Sequence, residues 1–127
     1  MFYEQRITIP PNTTETSPTT EVLNVHPGIL KRVQVRFPPG CCGLAHLQVK
    51  YLDRTIYPAN INSDISGDGE PIEFEEDIIL NDVPFEFTLV GWNEDDTYSH
   101  TIIVRMQILS EEQDIATMLK MLAAELV

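Results

Sequence analysis

The sequence predicts an all-β fold: an antiparallel β-sandwich, a jelly roll or a related Greek key, followed by one C-terminal amphipathic helix. Polar and apolar residues alternate in eight or nine short segments, as in strands with one face on a core. Pro- and Gly-containing turns separate these segments, and no helical pattern lies between them. Many short strands in this arrangement favour a sandwich. An immunoglobulin-like sandwich is the alternative, ranked lower because the expected Cys…Trp…Cys spacing is missing.

The strands are predicted one by one from this alternation. The clearest are 85–92 and 100–109, and in the latter Ile102, Val104 and Met106 share one face with Ile108. Polar residues dominate 12–20 and 59–71, which are therefore predicted to be surface loops. The remaining predicted strands are 2–9, 22–25, 29–37, 44–52, 54–57, 72–74 and 78–80.

The end of the chain has a helical pattern. Ser110 is a good N-cap with Gln113 three residues on, and Glu111 and Glu112 fit the positive end of the helix dipole. Residues 1–109 are thus predicted to form the sandwich and 110–127 the helix. This helix packs on its own sandwich or on a neighbouring subunit, two alternatives that the sequence leaves open. Its apolar stripe, the predicted interface, consists of Ile115, Met118, Leu119, Leu122 and Leu126.

The net charge of −12 excludes two classes of partner. It repels nucleic-acid phosphates and anionic lipid headgroups, so we expect neither nucleic-acid nor membrane binding. The N-terminal residues lack the features of a signal peptide, and no apolar run reaches the roughly 20 residues of a membrane span. Cys41 and Cys42 are adjacent, a spacing that strains a disulfide, and are predicted to be reduced thiols.

Motifs of catalysis are missing from the sequence. There is no G-x-S-x-G nucleophile elbow, and the three histidines lie in different predicted elements. His46 falls on the outward face of its strand and is predicted to be a solvated surface residue. The protein is therefore expected not to be an enzyme and to have no catalytic residues. Only the abundance of carboxylates keeps carboxylate-pair hydrolysis open.

One loop has the spacing of a calcium-binding EF-hand loop, with oxygen donors at positions one, three and five, Gly69 at position six and Glu75 at position twelve. No cofactor is required by the sequence, and calcium is the one possible exception. The context differs from an EF-hand because strands rather than helices flank the loop, and any exposed loop is rich in the same residues. The candidate ligands are Asp64, Ser66, Asp68, Glu70 and Glu75.

A second candidate site lies around the acidic turn at 93–96. Trp92 and Tyr98 flank this turn, and aromatic rings beside carboxylates suit sugar recognition. The more ordinary interpretation is a solvated turn, with Trp92 packed against a sheet. Trp92 and Tyr98 are the candidate ligand-binding residues of a carbohydrate-binding or receptor-binding module, in which the loop 64–75 would bind calcium.

The chain resembles small β-sandwich accessory proteins of tailed-phage particles from its first strand to Leu109. The resemblance rests on the overall layout and on the segments Phe37-Pro38-Pro39-Gly40, Tyr57-Pro58, Gly91-Trp92-Asn93 and Tyr98-Ser99-His100-Thr101. It implies a virion component, such as a head decoration or cement protein held on a capsid lattice, assembled in the host cytoplasm. The leading expectation is a non-enzymatic structural protein whose partners are copies of itself, a capsid lattice, or both. The carbohydrate- or receptor-binding module is the alternative.

Overall fold

The computed structural model describes residues 1–60, 62–81, 83–110 and 119. The described chain forms eight β-strands. They are β1 (Phe2–Ile9), β2 (Thr19–Asn24), β3 (Gly28–Arg36), β4 (Ala45–Tyr51), β5 (Arg54–Tyr57), β6 (Pro71–Leu80), β7 (Glu86–Asn93) and β8 (His100–Leu109). Within this part of the chain, no helix has the length and apolar character needed to cross a bilayer.

The strands form two four-stranded sheets. The first sheet has the order β1-β8-β3-β6 and the second the order β2-β7-β4-β5, and all pairings are antiparallel. Apart from β4 and β5, strands that follow one another in sequence lie in different sheets, so most connections cross from one sheet to the other. This is the strand order of a jelly roll and confirms the predicted fold class.

The core lies between the sheets and is built by alternate residues of each strand. In β8, the buried side chains are those of Ile102, Val104, Met106 and Ile108, as predicted, while their neighbours face outward. Successive side chains of a strand point to opposite faces, so one apolar face per strand is enough to build this core. Each fully buried aliphatic side chain stabilises the fold by roughly 1.5–3 kcal/mol.

One predicted pair of short strands is a single long strand. The acidic residues at 75–77 were expected to separate strands 72–74 and 78–80, but β6 runs through them without a break. The charge of Asp77 is paired because β6 lies beside the basic strand β3, where Lys31 Nζ lies 2.7 Å from Asp77 Oδ1. Arg32 of β3 also forms an ion pair with Glu73 of β6. A register irregularity in β3 between Leu30 and Arg32 accompanies this pairing.

The strand β8 ends at Leu109, the predicted end of the sandwich. The predicted helix 110–127 lies outside the described residues except for Ser110 and Leu119, and the side chain of Leu119 is exposed. The predicted interface residues Ile115, Met118, Leu122 and Leu126 are therefore still sequence-based expectations.

Candidate functional site

His46 and Trp92 form a stacked pair on the outer face of the second sheet. They lie opposite each other in the pairing of β4 with β7. Their ring centroids are 5.4 Å apart, and the ring planes differ by 15°. The side chain of Trp92 is only 6% exposed although it points away from the core. One face of the indole is thus already occupied by an imidazole.

Two carboxylates flank the imidazole of His46. Its Nδ1 lies 2.6 Å from Asp64 Oδ1, and its Nε2 lies 3.4 Å from Glu94 Oε2 without the alignment of a hydrogen bond. The side chain of His46 is 15% exposed, so the prediction of a solvated histidine was wrong. Its outward direction was predicted correctly, but the alternation along β4 carries no information about the loop and turn that supply Asp64 and Glu94.

Two loops extend the second sheet on either side of this pair. Thr13 exchanges two backbone hydrogen bonds with Asn93 of β7. Ile65 exchanges two with Leu47 of β4. Each loop is therefore held at the sheet by an isolated β-bridge, one at Thr13 and one at Ile65.

The five predicted calcium ligands have different partners in the structure. Asp64 contacts His46, Asp68 accepts a backbone hydrogen bond, and Glu75 lies on β6 opposite Arg32. Ser66 and Glu70 are exposed. Among the described residues, no three His, Cys, Asp or Glu side chains come together as a metal site requires. Calcium binding by this loop stays a prediction.

Asp68 holds the turn at residues 38–43. Its Oδ1 accepts a hydrogen bond of 2.8 Å from the backbone N–H of Gly40. Gly40 and Gly43 have φ values of 103° and 74°, a region that favours glycine, so this turn needs both small residues. Backbone N–H donors, above all that of Gly40, hold the pKa of Asp68 below its usual value of 3.8.

The two cysteines in this turn are free thiols, as predicted. The side chain of Cys41 points into the core, whereas Cys42 is exposed. Burial, followed by the negative charge of Asp68, raises the pKa of Cys41 from 9.0 to about 11. Cys41 therefore behaves as a small core residue rather than as a nucleophile.

The acidic turn after β7 is a hydrogen-bonded structure and not merely a solvated turn. Asn93 is fully buried, and its Nδ2 donates to the carbonyl of Tyr98. Asp95 Oδ1 accepts a hydrogen bond of 2.9 Å from Thr97 N, and Oδ2 accepts one of 2.8 Å from His100 Nε2. The Thr97 amide and then His100 hold the pKa of Asp95 below its usual range.

The structure separates the two predicted stacking residues. Trp92 lines a cavity of about 460 Å³ together with residues 12–15 and Glu94. Tyr98 does not line this cavity, and its side chain is 68% exposed. Glu15, which lies in the predicted Thr-rich loop, was not recognised from the sequence. A lone acidic residue in a polar loop gives no signal of its own, and only the Thr13 pairing places it here.

The outer face of the first sheet carries an apolar row, defined as Ile29, Ile79 and Leu109. Ile29 lies opposite both Ile79 on β6 and Leu109 on β8. Ile79 is 59% exposed, and the other two are partly exposed. The row crosses three strands at the end of β8, where the chain continues into the predicted helix.

No family model matches the chain, and no curated protein matches it.

Proposed function

We propose that this chain is a non-enzymatic structural protein that self-associates through its C-terminal segment. It serves as a component of a larger assembly, specifically as a capsid decoration or cement protein of a virion. The observation that carries the proposal is the exposed apolar row at the end of β8.

The apolar row and the predicted helix are complementary. The row presents three aliphatic side chains side by side across β6, β3 and β8. The sequence beyond Ser110 offers a stripe of five apolar residues at helical spacing. Burial of each such side chain contributes roughly 1.5–3 kcal/mol, so a few of them across an interface suffice for association. The helix of one subunit packs on the row of another.

The three histidines of the chain contact acidic or phenolic side chains. His46 and His100 contact carboxylates, and His26 contacts the hydroxyl of Tyr3. In the part of the chain that the structure describes, no histidine is hydrogen-bonded to a Ser or Cys side chain, the arrangement that activates a nucleophile.

Fold and charge agree with a role in assembly. Jelly rolls occur both in viral capsid proteins and in lectins, so the fold agrees with an assembly protein and with a carbohydrate-binding protein alike. The net charge of −12 favours a partner with a basic protein surface and disfavours nucleic acid. The virion form of the proposal predicts that the neighbouring genes encode capsid and terminase proteins; neighbours of metabolic function would contradict it.

Molar mass in solution tests self-association. The full chain is measured by light scattering at about 100 μM, where a contact worth about 5.5 kcal/mol is half formed. We expect a mass well above the 14.4 kDa of one chain. Leu122→Asp in the stripe and Ile79→Asp in the row should each return the mass to that of a monomer. A monomeric full chain would overturn the proposal.

Two matched variants control for the added charge. Thr117→Asp changes the opposite side of the predicted helix, and Val22→Asp changes an exposed apolar residue on the other sheet. Both should retain the oligomer. If the oligomer survives Leu122→Asp and Ile79→Asp, it uses another surface and the proposed interface is wrong.

A further inference from the structure

The outer face of the second sheet carries two cavities that share one residue. The first, of about 460 Å³, is lined by Trp92, Glu94 and residues 12–15. The second, of about 710 Å³, is lined by residues 53–55, by Gln48 and by several residues of the loop after β5. Glu15 lines both cavities, so the two cavities adjoin at this residue. Each volume is in the range of ordinary small-ligand sites.

The structure holds the walls of these cavities in place. The Thr13 pairing with Asn93 anchors the wall that carries Glu15. On the opposite side, Gln48 Nε2 donates a hydrogen bond of 2.9 Å to the carbonyl of Ser63, which ties the loop to β4. The cavities are therefore bounded by loops that are bonded to the sheet, as a preformed binding site requires.

The lining side chains are mostly neutral and able to both donate and accept hydrogen bonds. Amides come from Asn12, Gln48 and Asn60, and hydroxyls come from Thr14 and Thr55. Amide and hydroxyl groups match the paired donor and acceptor character of neighbouring sugar hydroxyls. Carboxylates such as that of Glu15 accept from two such hydroxyls at once.

Charge narrows the ligand further. Glu15 and Glu94 flank the first cavity, and the protein as a whole is strongly acidic, so an anionic ligand is repelled. In the second cavity, Asp53 offsets the charge of Arg54, and Glu15 adds a further negative charge. Trp92 lines the first cavity and, at 6% exposed, adds a small apolar area to it.

We propose that the two cavities form one groove that binds a neutral oligosaccharide, with Glu15 at the centre of the groove. This groove lies on the opposite sheet from the apolar row, so it does not depend on the proposed self-association. Of the two residues predicted from the sequence to bind sugar, the groove contains Trp92 but not Tyr98, and it adds Glu15. None of the five predicted calcium ligands lines it.

The test is a glycan array printed with neutral, sialylated and sulfated glycans and probed with the full chain. We expect binding to neutral glycans. The strongest neutral glycan is then titrated as a free oligosaccharide, with the emission of Trp92, the one tryptophan of the chain, as the readout. Addition of EDTA should leave the affinity unchanged.

Substitutions locate the binding within the groove. Glu15→Ala should lower the affinity at least about tenfold, as expected for a lost hydrogen bond to a charged group. Thr14→Val and Thr55→Val remove one hydroxyl from each cavity at nearly constant volume, and both should weaken binding. Glu21→Ala is the matched control, because Glu21 is exposed on the neighbouring strand β2 and lines neither cavity.

Several outcomes would overturn the proposal. They are an array without bound glycans, binding of acidic glycans alone, loss of binding in EDTA, and equal affinities of the Glu15→Ala variant and the parent chain. Weakening by only one of the two threonine variants would contradict a single groove.

Glu15 is exposed and has no ion pair among the described residues, so its variant should fold with an unchanged melting temperature.

Discussion

His46 covers one face of the Trp92 ring, with 5.4 Å between the ring centroids, and is itself flanked by Asp64 and Glu94. The loop that carries Asp64 and the turn that carries Glu94 thus both contact the His46–Trp92 pair. The contribution of this pair to stability and the solvent exposure of Trp92 can both be measured.

Replacement of His46 by Ala should expose Trp92. The variant loses the ring stack, worth about 0.5–1.5 kcal/mol, and the contact with Asp64. We expect unfolding in urea to show a loss of about 1–3 kcal/mol. Emission of the folded variant should shift to longer wavelength, and acrylamide should quench it more strongly. His26→Ala is the control, because His26 is exposed and contacts Tyr3. Unchanged quenching in the His46 variant would contradict the stack.

Asp68 should contribute to stability only while it is ionised. Its pKa is lower in the folded protein than its usual value of 3.8, so the contribution is complete above that value. It is lost as the pH falls through the folded value. Asp68→Asn should therefore melt below the parent chain at neutral pH, and the difference should shrink in acid. Asp53→Asn, the same change at another exposed aspartate, is the control. A difference that does not shrink as the pH falls below 3.8 would refute the linkage.

The two thiols should react at very different rates. Cys42 is exposed, while Cys41 is buried and has a pKa of about 11, so little thiolate forms at neutral pH. We expect iodoacetamide to label one cysteine quickly in the native protein and both in denaturant, as read by peptide mass spectrometry. The Cys42→Ser variant should have no fast thiol. Rapid labelling of Cys41 in the folded chain would show that the turn opens readily.

Gly91 leaves room for Ile9 in the core. A Cβ at position 91 would lie 2.4 Å from Ile9 Cδ1 and 3.3 Å from the carbonyl oxygen of His46. Gly91→Ala should destabilise the fold by about 1–3 kcal/mol through overpacking. Ile9→Val removes the clashing methyl, and alone should cost about 0.5–1.5 kcal/mol. The double variant should lose less stability than the sum of the losses of the two single variants. Additive losses in urea unfolding would show that Ile9 is not the obstacle.

The strands were the most predictable part of the molecule. The alternation in β8 gives its bounds and its buried residues, since a strand with one apolar face shows its period directly. β6 was divided because its acidic residues mark a turn when read alone, and their pairing with β3 is a property of the fold. The same holds for the candidate site. Trp92 was singled out, but His46 and Glu15 acquire their neighbours only through loops paired at Thr13 and Ile65.

The adjacency of β1 and β8 has a consequence for folding kinetics. Ile9 pairs with His100, so the first sheet joins opposite ends of the sandwich sequence, and β3 also depends on β8. Pairing strands that are distant in sequence closes a large loop, and the chain loses this conformational entropy before the strand contacts form. Sandwiches of this kind therefore fold in milliseconds to seconds. During synthesis, β1 and β3 lack their pairing partner until β8 has left the ribosome. Chains shortened before His100 should therefore aggregate rather than form a smaller sandwich.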